Sequence, residues 1–261
     1  MKNLTIIIIA TVIALSSITF SIAKTLQQNE SFTVGAGGTL YLDTDMGSID
    51  IESHDRDTVE VAIYRKRLSE SEFEVTFTQD GDDLRVNGEK NGIGSFFSFG
   101  SLGVRFQIKV PNRYDLNLKT SGGSIELSDL NGKVNAYTSG GSITLGKIVG
   151  DVDVKTSGGS IKVEEVVGNI SGHTSGGSIR VKMSQQPTED SRLTTSGGSI
   201  TAYLISSIAV DLEAKTSGGS VSSDFDVNGK LKSKKLKGTI NGGGPELYLK
   251  TSGGSVRIKK L

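Results

Sequence analysis

Thr138-Ser139-Gly140-Gly141-Ser142-Ile143-Thr144-Leu145 decides the fold, because its first six residues recur along the chain. Thr-Ser-Gly-Gly-Ser followed by Ile or Val begins at Thr120, Thr138, Thr156, Thr174, Thr195, Thr216 and Thr251, at intervals of 18, 18, 18, 21, 21 and 35 residues. A short period of this kind marks an architecture in which one small supersecondary unit is copied and stacked.

Aligning the first copies on this string puts the apolar residues into columns. One holds Leu116, Val134, Val152 and Ile170, a second Ile125, Ile143, Ile161 and Ile179, and a third Leu127, Leu145, Val163 and Val181. A fourth holds Leu130, Ile148 and Val166, with Gly132, Gly150 and Gly168 two residues further on. Between columns, apolar and polar residues alternate, as in Val152-Asp153-Val154 and Ile161-Lys162-Val163. That is the period of strands with one buried face. Each copy reads as strand, Ser-Gly-Gly turn, strand, glycine turn.

A copy of this size cannot fold alone, because burying about five aliphatic side chains does not offset the entropy of ordering the unit. Stacking each coil on the next turns every column into a continuous core and pairs every strand along its length. The chain therefore reads as all-β, a single-chain parallel β-solenoid with coils of 18 to 21 residues. The preference of parallel crossovers predicts a right-handed winding. A left-handed hexapeptide helix requires an aliphatic residue at every sixth position, and Ile143, Val149, Lys155 breaks that rule.

The paired glycines Gly122 and Gly123, Gly140 and Gly141, Gly158 and Gly159, Gly176 and Gly177, Gly197 and Gly198, Gly218 and Gly219, and Gly253 and Gly254 are read as structural turn residues. Positive φ and close approach of successive backbones are the expected reasons. The flanking Thr and Ser are expected to form hydroxyl ladders between coils.

Thr44-Asp45-Met46-Gly47-Ser48-Ile49-Asp50-Ile51 is a degraded motif, which places the first coil near Leu40. Strands are expected at Val59 to Ile63, Phe73 to Phe77 and Leu84 to Val86, with a turn at Asp80-Gly81. Val104 to Val110 alternates up to Pro111. The predicted organisation is thus 1–23 leader, 24–110 strand-rich N-terminal cap with irregular first coils, and 111–261 regular repeats, with one irregular coil from Leu231 to Ile240. Nothing requires a helix, although Arg67 to Phe73 could form one turn.

Lys2, the apolar run Leu4 to Leu15 and the small residues Ser21 and Ala23 have the layout of a cleaved secretory leader. An uncleaved anchor is the alternative, since Leu4 to Ala23 approaches the roughly 20 residues that span a bilayer. No later run is long enough to cross. Export then predicts a periplasmic or surface protein, yet the chain has no cysteine, so packing alone must stabilise it. Without residues 1–23 the chain carries 28 basic and 29 acidic residues, and net charge names no partner.

Val110-Pro111-Asn112-Arg113-Tyr114-Asp115-Leu116, followed by Leu118-Lys119-Thr120-Ser121-Gly122-Gly123-Ser124-Ile125 and its recurrences, resembles the putative-adhesin family of bacterial β-solenoid domains of unknown function. The resemblance spans Leu40 to Leu261. It implies an envelope or surface location and a repetitive β fold, and carries over no catalytic residues. The 21-residue coils and the Phe-rich segment depart from its pattern.

The remaining residues give few chemical signals. The turns lack the Gly-Lys-Ser/Thr ending of a nucleotide loop and the aspartate of calcium nonapeptides. His54 and His173 are far apart and are read as surface histidines, not metal ligands. Asp151, Asp153, Glu164 and Glu165 are the acids a β-helical polysaccharide lyase or hydrolase would use, but they do not recur on adjacent coils and read as solvated charge. No cofactor, metal or catalytic group is expected.

Two segments remain as candidates for partner binding. Phe96, Phe97 and Phe99 in the glycine-rich stretch 92–100 either cap an open end of the stack or meet an envelope protein or membrane. Lys230, Lys232, Lys234, Lys235 and Lys237, then Lys250, Arg257, Lys259 and Lys260, either protect the terminal coil or meet an anionic polysaccharide or lipid surface. No aromatic residues interleave with them, which argues against nucleic acid. The expected function is an exported, non-enzymatic adhesin or scaffold. The alternatives are a polysaccharide-binding or polysaccharide-degrading β-helix and an ice-binding solenoid.

Overall fold

The computed structural model describes residues 25–91 and 103–261, and among them no helix occurs. The N-terminal strands are β1 (Thr25–Thr33), β2 (Thr39–Thr44), β3 (Ser48–His54), β4 (Thr58–Lys66), β5 (Phe73–Asp80), β6 (Asp83–Lys90) and β7 (Gly103–Pro111). The regular repeat supplies β8 (Asp115–Thr120), β9 (Ile125–Leu127), β10 (Leu130–Asn131), β11 (Val134–Thr138), β12 (Ile143–Val149), β13 (Val152–Thr156) and β14 (Ile161–Val167). It continues through β15 (Ile170–Thr174), β16 (Ile179–Met183), β17 (Ser191–Thr195) and β18 (Ile200–Leu204). The C-terminal part holds β19 (Val210–Thr216), β20 (Val221–Ser223), β21 (Asn228–Lys232), β22 (Lys235–Ile240), β23 (Glu246–Thr251) and β24 (Val256–Lys260).

These strands form two 12-stranded sheets, mostly parallel. Sheet A runs β1-β4-β7-β3-β9-β12-β14-β16-β18-β24-β20, with β10 beside β12. Sheet B runs β21-β22-β19-β23-β17-β15-β13-β11-β8-β2-β6-β5. The strand before each Thr-Ser-Gly-Gly-Ser turn lies in sheet B and the strand after it in sheet A. The columns read from the sequence are the ladders observed: Leu116, Val134, Val152 and Ile170 pair successively in sheet B, and Ile125, Ile143, Ile161 and Ile179 in sheet A. All eight are buried and belong to one hydrophobic cluster between the sheets. Strand alternation thus produces the core directly, because every inward residue touches its counterpart one coil away.

Of the two requirements expected of the turn glycines, close approach of successive backbones is met and positive φ is not. No glycine of the seven pairs has positive φ. The second of each pair is needed for close approach: a Cβ on Gly159 would lie 2.1 Å from the carbonyl oxygen of Gly141, and one on Gly123 would lie 1.9 Å from that of Gly47. The first glycine has more room only in the earliest copies, since a Cβ on Gly176, Gly197, Gly218 or Gly253 would already lie 2.7–2.9 Å from a neighbouring coil's glycine carbonyl oxygen. A Cβ on Gly122 meets nothing within 4 Å, and on Gly140 only ordinary contacts from 3.6 Å.

The hydroxyls are likewise bonded to backbone, not to one another. Thr138, Thr156 and Thr174 donate from Oγ1 to the carbonyls of Gly123, Gly141 and Gly159, each at 2.7 Å and each to the coil before. Ser142, Ser160 and Ser178 donate their amide N–H to the preceding coil's serine Oγ. The motif threonines point inward and are 0–8% exposed, because a buried carbonyl at a corner needs a donor that no strand supplies. They therefore form no outward threonine array of the kind an ice-binding surface presents.

At both ends the coil order departs from the sequence order. The coil β2/β3 lies between β6/β7 and β8/β9, with Leu40 paired to both Leu84 and Leu116 and Ile49 to both Phe106 and Ile125. At the other end β23/β24 is inserted between β17/β18 and β19/β20. Leu249 pairs with Leu193 on one side and Ala214 on the other, and Ile258 lies between Ala202 and Ser223. The expectation that each coil stacks on the next holds only in the middle. Leu231 to Ile240 is not a coil: β21 and β22 form an antiparallel hairpin that closes sheet B against β19. The 35-residue interval holds this hairpin and the return turn, where Asn241, Gly242 and Gly243 adopt φ of 51°, 94° and 86°. Left-handed backbone at three successive positions reverses the chain so that β23 can enter the gap.

The N-terminal end is closed by antiparallel additions, β4 and β1 on sheet A and β5 on sheet B. Arg65, 1% exposed, ties them together by donating from Nε to the Phe73 carbonyl at 3.0 Å and from Nη2 to Gln28 Oε1 at 2.8 Å. Toward the other end of these strands Phe32 of β1 meets Phe77 of β5, with ring centroids 5.3 Å apart. The segment 67–72 makes the single turn expected there: the Phe73 amide donates to the Ser69 carbonyl four residues back at 3.1 Å, and Glu72 accepts from the Ser69 amide and hydroxyl, without continuing into a helix. The leader segment 1–23 and Phe96, Phe97 and Phe99 lie outside the described residues.

Candidate functional site

Charge is distributed along the stack. Residues 25–131 contain 10 basic and 18 acidic residues, whereas 132–261 contain 17 and 11. The near-neutral total conceals an acidic N-terminal half and a basic C-terminal half.

The basic charge is concentrated on the outer face of sheet B. Alternation turns Lys230 and Lys232 outward on β21, Lys235 and Lys237 on β22, Glu213 and Lys215 on β19, Tyr248 and Lys250 on β23, and Arg192 and Thr194 on β17. Register then sets them in two rows across neighbouring strands. One row is Lys230, Lys237, Glu213, Tyr248, Arg192 and Ser171; the other is Lys232, Lys235, Lys215, Lys250, Thr194 and His173. Like charges directly opposite each other, such as Lys232 with Lys235 and Lys215 with Lys250, work against sheet stability.

Only Glu213 opposes seven cations in these rows. Its carboxylate receives Lys215 at 3.2 Å, Lys237 at 3.2 Å and Lys235 at 3.6 Å, with a side-chain exposure of 14%. Hydrogen bonds from Lys237 and Lys215, then the positive field of Lys215 and Lys235, hold its pKa down at about 2. The carboxylate is therefore ionised throughout the physiological range and already committed to its three neighbours. The guanidinium of Arg192 lies 4.2 Å from the ring centroid of Tyr248, and the ammonium of Lys215 lies 4.7 Å from it. The aromatic ring spaces the two cations without neutralising either.

Beside this patch lies a shallow depression of about 440 Å³, lined by Ser171, Gly172, His173, Arg192, Thr194, Thr195, Ser196, Lys250 and Ser252. Its lining is small and hydroxylic apart from His173, Arg192 and Lys250, and His173 Nδ1 is 2.7 Å from Thr194 Oγ1. A carboxylate or sulfate could reach two cations and several hydroxyls there. A larger depression of about 870 Å³ near the other end of sheet A is lined by Glu30, Asp50, Glu52, Glu60 and Glu126 with Arg105 and Lys109, so it has the opposite sign.

Lys232 and Lys235 sit in the basic rows, while Lys234 occupies the hairpin turn and donates to the Ser217 carbonyl at 2.7 Å. Arg257 and Lys259 project from β24 in sheet A and do not join them. Lys215, Arg192 and Tyr248 are the members that sequence reasoning missed. Only insertion of β23 beside β17 and β19 places them together.

The other candidates are held separately. Asp151 accepts from Asn169, Asp153 from the Tyr137 hydroxyl, Glu164 pairs with Lys162, and Glu165 with Lys147 and Ser184. Asp153 is on sheet B and Glu164 and Glu165 on sheet A, so these carboxylates do not converge. His54 and His173 are half-buried on different sheets, and among the described residues no His, Cys, Asp and Glu group could hold a metal ion. The amides of Gly158, Gly176 and Gly197 donate to serine carbonyls of the preceding coil, so these backbone N–H groups are not aimed outward to cradle a phosphate. No described helix is long and apolar enough to cross a membrane.

These features define a class: an all-β protein of stacked, mostly parallel strands whose distinctive surface is an outer sheet face and not a cleft. The chain belongs to the Toastrack DUF4097 family, whose profile matches residues 39–167 and 149–259. The family resemblance carried by the repeats is borne out. Among solved structures, it is similar to a putative adhesin from Bacteroides fragilis NCTC 9343, at 15% identity and a TM-score of 0.44 over 92% of this chain and 99% of that one. It is also similar to a putative cell adhesion protein from Clostridium sporogenes ATCC 15579, at 14% identity and 0.40 over 91% and 100%. A putative lipid binding protein from Parabacteroides distasonis ATCC 8503 aligns at 12% identity and 0.36 over 90% and 96%. No curated protein matches the chain.

Proposed function

We propose that the protein is an exported, non-enzymatic, adhesin-like module of the bacterial cell envelope that holds an anionic glycan on the basic face of sheet B. The observation that carries this reading is the pair of cation rows with a single, already committed carboxylate. Seven cations held on neighbouring strands, against their mutual repulsion, suit a partner that supplies the missing negative charge. A linear polyuronate carries one carboxylate per sugar, each sugar about as long as the ~4.8 Å strand spacing.

A glycan fits better than a lipid surface because, among the described residues, this face offers no exposed aliphatic side chain to insert. Of the exposed large hydrophobics, Leu231 alternates with Lys230 and Lys232 and so points to the other side of β21, and Val149 and Leu261 belong to the sheet A side. Export rests on Lys2, the run Leu4 to Leu15, and Ser21 and Ala23. A single-chain, right-handed winding is the reading favoured by the general handedness of parallel crossovers.

Titration calorimetry against polygalacturonate at about 50 mM salt is expected to show binding that neutral dextran does not, weakening steeply toward 0.5 M. Arg192→Glu with Lys250→Glu is expected to weaken it at least about tenfold without lowering the melting temperature. Equal binding by this variant, or equal binding of dextran, would refute the proposal. Binding to anionic phospholipid vesicles without binding to polygalacturonate would replace the glycan with a membrane.

A further inference from the structure

We infer that copies of the protein join head to tail by adding β21 of one copy to β5 of the next, so that sheet B continues from molecule to molecule. The inference goes beyond the glycan reading and stands without it.

Among the described residues, the two ends of sheet B, β5 and β21, have no strand paired on their outer edges. They are opposite in charge. Residues 68–82, which include β5, contain five acids and no cation, whereas residues 228–240, which make up the β21–β22 hairpin, contain five lysines and no acid. Lysine on an edge strand discourages pairing with a like edge, but it attracts an acidic one. The charges therefore oppose tail-to-tail and head-to-head contacts and favour the head-to-tail one.

Strand direction and side-chain alternation agree. β6 runs parallel to the rest of the stack and β5 antiparallel to it. β22 is antiparallel to β19 and β21 to β22. Two molecules stacked end to end thus bring β21 to β5 in antiparallel sense, the pairing an added strand can make without distortion. In the register that sets Leu231 opposite Val75, Lys232 faces Glu74 on the outer side. Leu231, 68% exposed, then lies beside half-buried Val75 and Phe77 on the inner side. The junction gives this exposed edge leucine apolar neighbours.

The ends are also shaped for it. Beyond the last coil, the N-terminal end adds β5 to sheet B and β4 and β1 to sheet A, while the C-terminal end adds β22 and β21 to sheet B and nothing to sheet A. At a junction sheet B therefore gains three strands and sheet A two. The sheet B edges meet first, with about one strand spacing, ~4.8 Å, left open on the sheet A side. Such a contact is heterologous and does not close on itself, so it propagates into open chains of molecules.

Sedimentation velocity of the purified protein tests this. At about 50 mM salt, sedimentation coefficients are expected to rise with concentration through a series of elongated oligomers, and at about 0.5 M salt the apparent dissociation constant should rise roughly tenfold. Lys230→Glu with Lys232→Glu, and separately Glu70→Lys with Glu74→Lys, should each give monomers. The chain carrying all four changes should associate again, since the junction is restored with reversed polarity. A monomer at every concentration in low salt would overturn the inference, as would association that survives either double reversal or fails to return in the fourfold variant.

Discussion

Gly159→Ala is expected to lower the melting temperature by roughly 10 °C, whereas Gly122→Ala moves it by no more than about 2 °C. Both glycines belong to the same repeated turn, and sequence alone treats them as equivalent. A methyl group on Gly159 would sit 2.1 Å from the Gly141 carbonyl oxygen and 2.4 Å from its carbon. Both are backbone atoms locked by the bond from Thr156 Oγ1, so no flexible side chain can yield. Relief requires the two coils to part by more than an ångström, which also breaks the Ser160 amide bond to Ser142 Oγ. Overpacking of this kind costs about 3 kcal/mol or more. A methyl group on Gly122 finds open space at ordinary φ and reduces the entropy of the unfolded chain. Thermal unfolding followed by circular dichroism compares the two directly; equal melting temperatures would show that the backbones do not approach this closely.

Removing residues 246–261 is expected to destabilise far more than the loss of an end coil would. β23 and β24 lie inside the stack, so their loss leaves β17 and β18 facing β19 and β20 across an empty layer. Leu247, Leu249, Val256 and Ile258 are each no more than 1% exposed, and their loss alone forfeits about 6–12 kcal/mol, comparable with the whole stability of a domain. Hydrogen exchange should show amides of β19 and β22 losing protection along with those of β18. If β19 to β22 kept full protection in the shortened chain, the last coil would be terminal in space as well as in sequence.

The middle of the fold was legible because each coil carries its aliphatic residues at the same offsets from its turn. Leu116, Val134 and Val152 could be aligned by eye, and they are neighbours in the sheet. The same uniformity concealed the order of the end coils. Leu249 would fit against Ala214 or Leu193 equally well by hydrophobicity, and it in fact touches both. The double glycine carried two possible reasons, because positive φ and close backbone approach favour the same residue, and only geometry shows that close approach is the one that applies. The lysines from 230 to 237 were visible as a run. Arg192, Lys215 and Lys250 are far from one another in sequence, and only the inserted coil unites them.

Since the basic face exists only if the last coil is inserted, coil order is the claim on which the rest depends. The natural chain has no cysteine, so pairs of introduced cysteines report proximity without interference. Arg257 of β24 is in register with Thr201 of β18 on one side and Ser222 of β20 on the other. Thr201→Cys with Arg257→Cys should oxidise to a disulfide in nearly every molecule, because adjacent strands set the Cα atoms about 4.8 Å apart. Thr201→Cys with Ser222→Cys, about two strand spacings apart, should remain reduced. Cross-linking of the second pair and not the first would mean that coils stack in the order in which they are written.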